Sequence, residues 1–288
     1  MNDEFWLVTT EYLEDRLWFR DGEDFKAGMN FVPIIAFEEK VDVVAFILMS
    51  NHVHFILHCS SNKAKEFIAS FKKYYSQYFR CRYGISGLLR RNDVDIRPLA
   101  VGDESLERAI AYVHMNCVAA NICLNPFEYR WGTGGCFFRS SEELEGSPAS
   151  ILSKRLLIRL THVKKSIPNH LVFDKTGYIL PASYVNTHLA EKIFRSPKRM
   201  AYFLNTSSKS RGKKDSSIRN IPSFKDQTIL YAIPDLCQSM FNKNSVRSLS
   251  EEDLCELSRQ TRYRFSADPH QISRVLGLTY DHVTSLLD

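Results

Sequence analysis

Two histidines separated by one apolar residue, His52-Val53-His54, sit inside the run Met49-Ser50-Asn51-His52-Val53-His54-Phe55-Ile56-Leu57, which has the composition of a strand. Alternation along a strand puts both imidazoles on one face, about 7 Å apart, within reach of a single metal ion. Val53, Phe55 and Leu57 then face the other way, into a core. Farther along, Tyr112 and Asn116 stand one helical turn apart, so a phenol hydroxyl and an amide oxygen share a neighbouring face and can be turned toward the histidine strand. Two imidazoles and an amide oxygen make an open, neutral donor set. It suits Mg²⁺ or Mn²⁺ with positions left for water and phosphate, and it is unlike a closed zinc site. His58 shares the strand face but lies about 13 Å from His54, too far to hold the same ion.

The elements that must position these groups follow from local pattern. Phe5 to Thr10 reads as a first strand. Residues 21–40, with Asp21-Gly22 and Pro33, read as turns mixed with a short helix or strand. Val41 to Met49 is nearly all apolar and suits a central strand, and Ser50-Asn51 makes the tight turn that returns His52 to Cys59 as its hairpin partner. Asp95 to Leu99 is a short strand that Pro98 assigns to an edge. Asp103 to Ala120 is an amphipathic helix: Asp103 is a suitable N-cap, Glu104 suits the first turn, and Leu106, Ala109, Ile110, Val113 and Cys117 form its apolar stripe. His114 points about 200° around that helix from Tyr112, which makes it structural or DNA-facing rather than a ligand.

Lys63 to Tyr83 is a second amphipathic helix, with Phe67, Phe71, Tyr74 or Tyr75, and Tyr78 at helical spacing. Its basic residues, among them Lys72, Lys73, Arg80 and Arg82, fall mainly off that stripe. Singly they read as a solvated face. Together, interleaved with tyrosines, they suit a nucleic-acid backbone and unstacked bases. Arg90 and Arg91 follow in a glycine-containing loop and extend the basic set.

In combination these motifs resemble a known family. His52-Val53-His54 is an H-hydrophobic-H (HUH) motif, and Tyr112-Val113-His114-Met115-Asn116 is similar to the nucleophile helix of the single-tyrosine HUH transposases. Asn116 to Ala120, followed by Pro126 and Tyr129-Arg130-Trp131, most resembles the REP-associated tyrosine transposases, over roughly residues 5–138. The sequence departs from that pattern at Cys117, where the family usually has proline; near Asn121, where glycine is common; and at Gly132-Thr133-Gly134, in place of serines and a tyrosine. The resemblance implies an α+β fold: a ferredoxin-like or RRM-like antiparallel sheet with packed helices (the HUH endonuclease fold), followed by an all-helical C-terminal extension. It implies a transposase that nicks and rejoins single-stranded DNA with hairpin ends through a covalent 5′-phosphotyrosine at Tyr112. His52, His54 and Asn116 would hold Mg²⁺ or Mn²⁺, in a monomer or a homodimer. The alternative is a retired, non-enzymatic nucleic-acid-binding protein, which need not have kept all four residues.

Composition bounds the rest. The chain has 288 residues, 44% hydrophobic and 25% charged, with a net charge of +5, so it is globular and mildly basic. Seven cysteines without a C-x-x-C pair argue against a disulfide framework or a thiolate zinc site and point to a reducing, cytoplasmic setting. An acidic start does not resemble a signal peptide, and no apolar run spans a membrane. The chain divides into the nuclease-like region 1–138, a polar linker 139–150, a helical extension 151–206, a basic serine-rich linker 207–222, and a helical region 223–288. The last region has the apolar spacing of a helix-turn-helix, which would present Thr279, Tyr280, His282 and Thr284 to DNA. A generic three-helix interaction domain fits the same pattern.

Overall fold

A computed structural model describes residues 4–10, 17–86, 94–120, 122–138, 144–207, 226–265 and 267–287. The described chain is α+β, with a four-stranded antiparallel sheet and ten α-helices among those residues. The first part runs β1 (Glu4–Thr9), α1 (Gly22–Glu39), β2 (Asp42–Leu48), β3 (Val53–Cys59), α2 (Ser61–Tyr83), β4 (Asp95–Leu99) and α3 (Ser105–Ala119). The strands lie in the order β2-β3-β1-β4.

Alternation on β3 divides the molecule into layers. Phe55 packs its ring against Phe67 and Phe71 of α2, at 5.1 and 5.4 Å. His54, one residue earlier, meets Tyr112 of α3. Consecutive residues point to opposite faces, so α2 covers one face of the sheet and α3 the other. Val53, His54, Phe55, Ile56 and Leu57 are all fully buried, and the expectation that the histidine face is open is corrected: it is roofed by α3.

Four other local expectations change. Residues 21–40 hold one 18-residue helix, because Asp21 caps it by accepting from the Glu23 and Asp24 amides, and Pro33 is tolerated within it. β2 is not central but at the end of the sheet. Its apolar composition is explained by what covers its outer edge: Gly132 bridges to Ile47, Thr133 N–H donates to Phe46 O at 3.0 Å, and Asn186 N–H donates to Val43 O at 2.9 Å. His52 precedes β3 and lies in the turn. α3 begins at Ser105, and the Asp103 carboxylate accepts the Ser105 amide at 2.9 Å.

The second half adds a small β5 (Ser147–Pro148) paired with β6 (Val172–Phe173), and helices α4 (Lys154–Thr161), α5 (Thr187–Phe194) and α6 (Pro197–Thr206). Their apolar residues, Val163, Phe173, Phe194 and Phe203 among them, join the same core that begins at Phe5. A second apolar cluster is built by α7 (Asp226–Phe241), α8 (Glu251–Phe265), α9 (Pro269–Leu276) and α10 (Tyr280–Leu287). α8 opens with a reciprocal cap: Ser250 Oγ accepts the Asp253 amide and Asp253 Oδ2 accepts the Ser250 amide. The basic stretch expected at 207–222 lies, from residue 208, outside the described residues, as do Arg90 and Arg91. No described helix is long and apolar enough to cross a membrane. All seven cysteines are free.

Candidate active site

The hairpin turn between β2 and β3 is fixed at every residue. Met49 N–H donates to His52 O at 2.8 Å, closing the turn. The Ser50 carbonyl accepts the Trp18 and Phe19 amides at 2.8 and 3.0 Å. On the strand side, Thr10 Oγ1 accepts the Val53 amide at 3.0 Å. The Tyr129 hydroxyl, buried, donates to Leu48 O at 2.8 Å. A turn held this way carries its side chains in defined directions.

His52 is half-buried, and its Nδ1 lies 2.9 Å from Asn51 Oδ1. An acceptor at Nδ1 selects the tautomer with hydrogen there and makes Nε2 the lone-pair nitrogen, as second-shell partners do for metal-bound histidines. The His52 and His54 rings have centroids 5.1 Å apart and stand at 82°. Two imidazoles sharing one ion at ordinary metal–nitrogen lengths have centroids about 5 Å apart, so the pair fits a common ion. Tyr112, half-buried on α3, lies edge-on to His54 with centroids 5.6 Å apart at 87°. The structure thus brings His52, His54 and Tyr112 together from elements about sixty residues apart in sequence.

Asn116 is buried one turn beyond Tyr112. Its Nδ2 donates back to Tyr112 O at 2.9 Å and to Val113 O at 3.3 Å, so the amide nitrogen is spent on its own helix and the oxygen is turned away from those carbonyls. Among the described residues, no group of three or more His, Cys, Asp or Glu side chains is placed to hold a metal ion. His114 is structural. It is buried, its Nε2 is 3.0 Å from Thr133 Oγ1, and burial lowers its pKa to about 3, which keeps it neutral. His58 lies apart, its Nδ1 3.7 Å from Asp42 and its ring against Phe5.

The DNA-contact expectations fare differently. α2 lies on the sheet face opposite the imidazoles, which places Lys72, Lys73 and Arg80 a full layer from Tyr112; Lys73 and Arg80 are exposed and Lys72 half-buried. Arg82 pairs with Asp21 and with fully buried Asp24, and its guanidinium lies over Tyr83. The α2 tyrosines are core, not base-stacking platforms. Tyr74 donates to Glu38, Tyr75 to Trp18 O, and Tyr78 to Asp24. In the tail, His282 Nε2 is 3.0 Å from Glu251, and Thr284 donates back to Tyr280 O and Asp281 O. Thr279 Oγ1 accepts the His282 amide. Tyr280, stacked on His270 at 4.1 Å, is the member of that set whose ring keeps a broad exposed face.

Several supporting residues went unassigned at the sequence level. Asn51 and Thr10 orient the histidine turn. The Tyr129-Arg130-Trp131 motif is scaffold: Tyr129 holds Leu48 O, Arg130 pairs with Asp174 at 3.0 Å, and the Trp131 ring stacks on Phe25 at 5.0 Å. Gly132 and Gly134 belong to the same scaffold, since a Cβ would come within 3.0 Å of Phe46 O at the first and 2.4 Å of Pro126 O at the second. Adjacency to the H-x-H motif could have flagged Asn51. Nothing local marks Thr10.

No family model matches the chain. No curated protein matches it in sequence. Among solved structures, a REP-associated tyrosine transposase bound to a REP hairpin is loosely similar, at 12% identity over 46% of this chain and 78% of that one, with a TM-score of 0.34.

Proposed function

We propose that this chain is a transposase of the single-tyrosine HUH type, a metal-dependent endonuclease and strand transferase for single-stranded DNA with hairpin ends. The observation that carries the reading is the Tyr112 ring set edge-on against His54, with His52 beside it. The β-α-β-β-α-β element order, with β1 and β3 side by side at the centre of the sheet, supports the ferredoxin-like form of the fold.

His52, His54 and Asn116 are the residues that would hold Mg²⁺ or Mn²⁺. When bound, such an ion supplies charge neutralisation at the scissile phosphate. The chain's own part is positional. Tyr112 Oη loses its proton and bonds to phosphorus, the bond from phosphorus to the 3′ oxygen breaks, and that oxygen leaves as a 3′ hydroxyl once protonated. The phosphodiester energy is kept in the tyrosyl ester, so a second strand's 3′ hydroxyl can reverse the step without a nucleotide cofactor. An ordinary phenol has a pKa of about 10, so the site must help it ionise.

The test is to incubate the full chain with hairpin-bearing single strands and Mn²⁺ and look for a denaturant-stable protein–DNA adduct. An adduct that requires the metal, is lost in EDTA and disappears in Tyr112→Phe is expected. Cleavage without an adduct, or an adduct that survives Tyr112→Phe, overturns the reading.

A further inference from the structure

The last helical unit is seated on the turn that carries His52. Asp226, the first residue of α7, is fully buried. Three side chains converge on its carboxylate. Gln271 Nε2 donates at 2.7 Å and Arg274 Nε at 2.8 Å, both from α9. The third is Ser50, buried in the β2–β3 turn, whose hydroxyl favours the ionised carboxylate. Burial alone would raise the Asp226 pKa; Arg274, Gln271 and Ser50 outweigh it, and the carboxyl stays below its ordinary range, hence ionised. A second link runs beside the first: Gln227 Nε2 donates to Phe19 O at 2.8 Å, and the Phe19 amide donates to Ser50 O.

The line of contacts therefore runs from α9 through Asp226 to Ser50, then along two residues of a closed turn to His52, whose ring is set by Asn51. A buried ion pair is a poor way to glue two apolar clusters together. Removing both charges from water costs several kcal/mol per ion before the attraction is counted, and apolar residues of the same volume do as well or better. What a buried pair adds is direction. Here the direction is aimed at the turn that carries His52.

We propose that Asp226 is a positioning residue for His52, and that the C-terminal helices are a structural part of the nuclease centre and not only an appended DNA reader. This rests on the proposed function for the meaning of the His52 geometry, but not for the geometry itself. Without Asp226 the Ser50 hydroxyl loses its acceptor and the turn loses its outer support. His54, locked in β3 beneath α3, is unaffected, so the defect falls on one imidazole of the two.

The experiment uses full-length Ser50→Ala and Asp226→Asn beside the wild type. Folding is checked by circular dichroism. Amide hydrogen exchange is followed at residues 49–53, and Mn²⁺ binding is measured on the protein alone. Single-turnover cleavage is resolved into strand binding and rate. Both variants are expected to fold, to exchange faster at the turn, and to bind Mn²⁺ about tenfold more weakly, the low end of what losing a ligand's own hydrogen-bond partner costs, because neither side chain touches the His52 ring. Cleavage should slow at unchanged strand affinity. A role confined to joining the two units would lower the thermal midpoint and leave turn exchange and Mn²⁺ affinity at wild-type values, which overturns the proposal. Should Asp226→Asn fail to fold, Ser50→Ala, which removes only the hydroxyl on the turn side, decides alone. If the wild type itself neither binds Mn²⁺ nor forms an adduct, the metal-nuclease reading fails. The exchange rates then still decide whether the clasp orders the turn.

Discussion

Tyrosines sit on two helices that cover the sheet from opposite faces, and their surroundings are opposed. On α2 each hydroxyl is spent on an acceptor: Tyr74 on Glu38, Tyr75 on Trp18 O, Tyr78 and Tyr83 on Asp24. Burial, and then the charge of Asp24, raise the pKa of Tyr78 and Tyr83 well above that of a free phenol. On α3, Tyr112 faces imidazoles. A phenol beside a carboxylate is held as a phenol. On the proposed reading, a cation shared by His52 and His54 would favour the phenolate of Tyr112. On that reading the same residue type is structural on one helix and chemical on the other, according to what it faces.

The comparison breaks most sharply at the hydroxyls themselves. Tyr112→Phe should reduce cleavage by on the order of a thousandfold or more while leaving stability near wild type; Tyr78→Phe should do the reverse, lowering stability with cleavage intact. An adduct mapped to Tyr74, Tyr75 or Tyr78 would erase the distinction. His54→Ala should abolish cleavage and also cost about 1–3 kcal/mol, because a fully buried side chain is removed, whereas His52→Ala should abolish cleavage at smaller cost. Equal urea midpoints for the two variants would count against the roofed geometry of His54.

Arg82→Met sharpens the other side. It should cost about 2 kcal/mol, less than for a fully buried pair because Arg82 keeps 30% of its side-chain surface in water, and it should leave DNA affinity unchanged. A folded Arg82→Met protein with weakened strand binding would return that residue to the DNA contacts. Lys73→Ala with Arg80→Ala should leave the salt dependence of strand binding as it was; contacts to single-stranded phosphates would each make the slope shallower by about 0.7. The smallest effect is set by pH. Asp226 has a depressed folded-state pKa, so its contribution is present above the ordinary carboxylate value of about 3.9 and is lost as pH falls through the folded value. The stability advantage of wild type over Asp226→Asn should be constant from pH 7 to about pH 5 and shrink below about pH 4, read by urea unfolding at each pH.

The grouping of these side chains was legible in the sequence, and the roof over them was not. The period-two spacing of His52 and His54 and the helical spacing of Tyr112 and Asn116 are local signals, and the structure brings both histidines to Tyr112. The reciprocal cap of Ser250 and Asp253 is likewise a local feature, three residues apart in sequence. What local pattern could not give is what lies above a face. β3 is buried on both sides, and its histidine face was expected to be open because two polar residues at alternating positions read as solvent-facing. The ion pairs of Arg82 were hidden for a related reason: its partners Asp21 and Asp24 are some sixty residues away in sequence. Asp21-Gly22 reads as a turn, and nothing in it announces the cap of an 18-residue helix. Asp226 is the extreme case, since its three partners lie on two separate elements and no spacing rule connects them.

The outer side of β2 has a consequence for association. Its main-chain groups are taken in succession: Val43 O by the Asn186 amide, Phe46 O and N by Thr133, Leu48 N by Trp131 O, and Leu48 O by the Tyr129 hydroxyl. A strand that would otherwise be a template for another chain is thereby sealed by parts of its own molecule. β4 has no such cover among the described residues; it pairs with β1 alone and carries Pro98 and the charged pair Asp95 and Arg97. Any sheet shared between two copies of this protein therefore has to be continued from β4. There a proline and two charges ration the main-chain bonds available, so one side of the sheet is closed by architecture and the other is merely discouraged by chemistry.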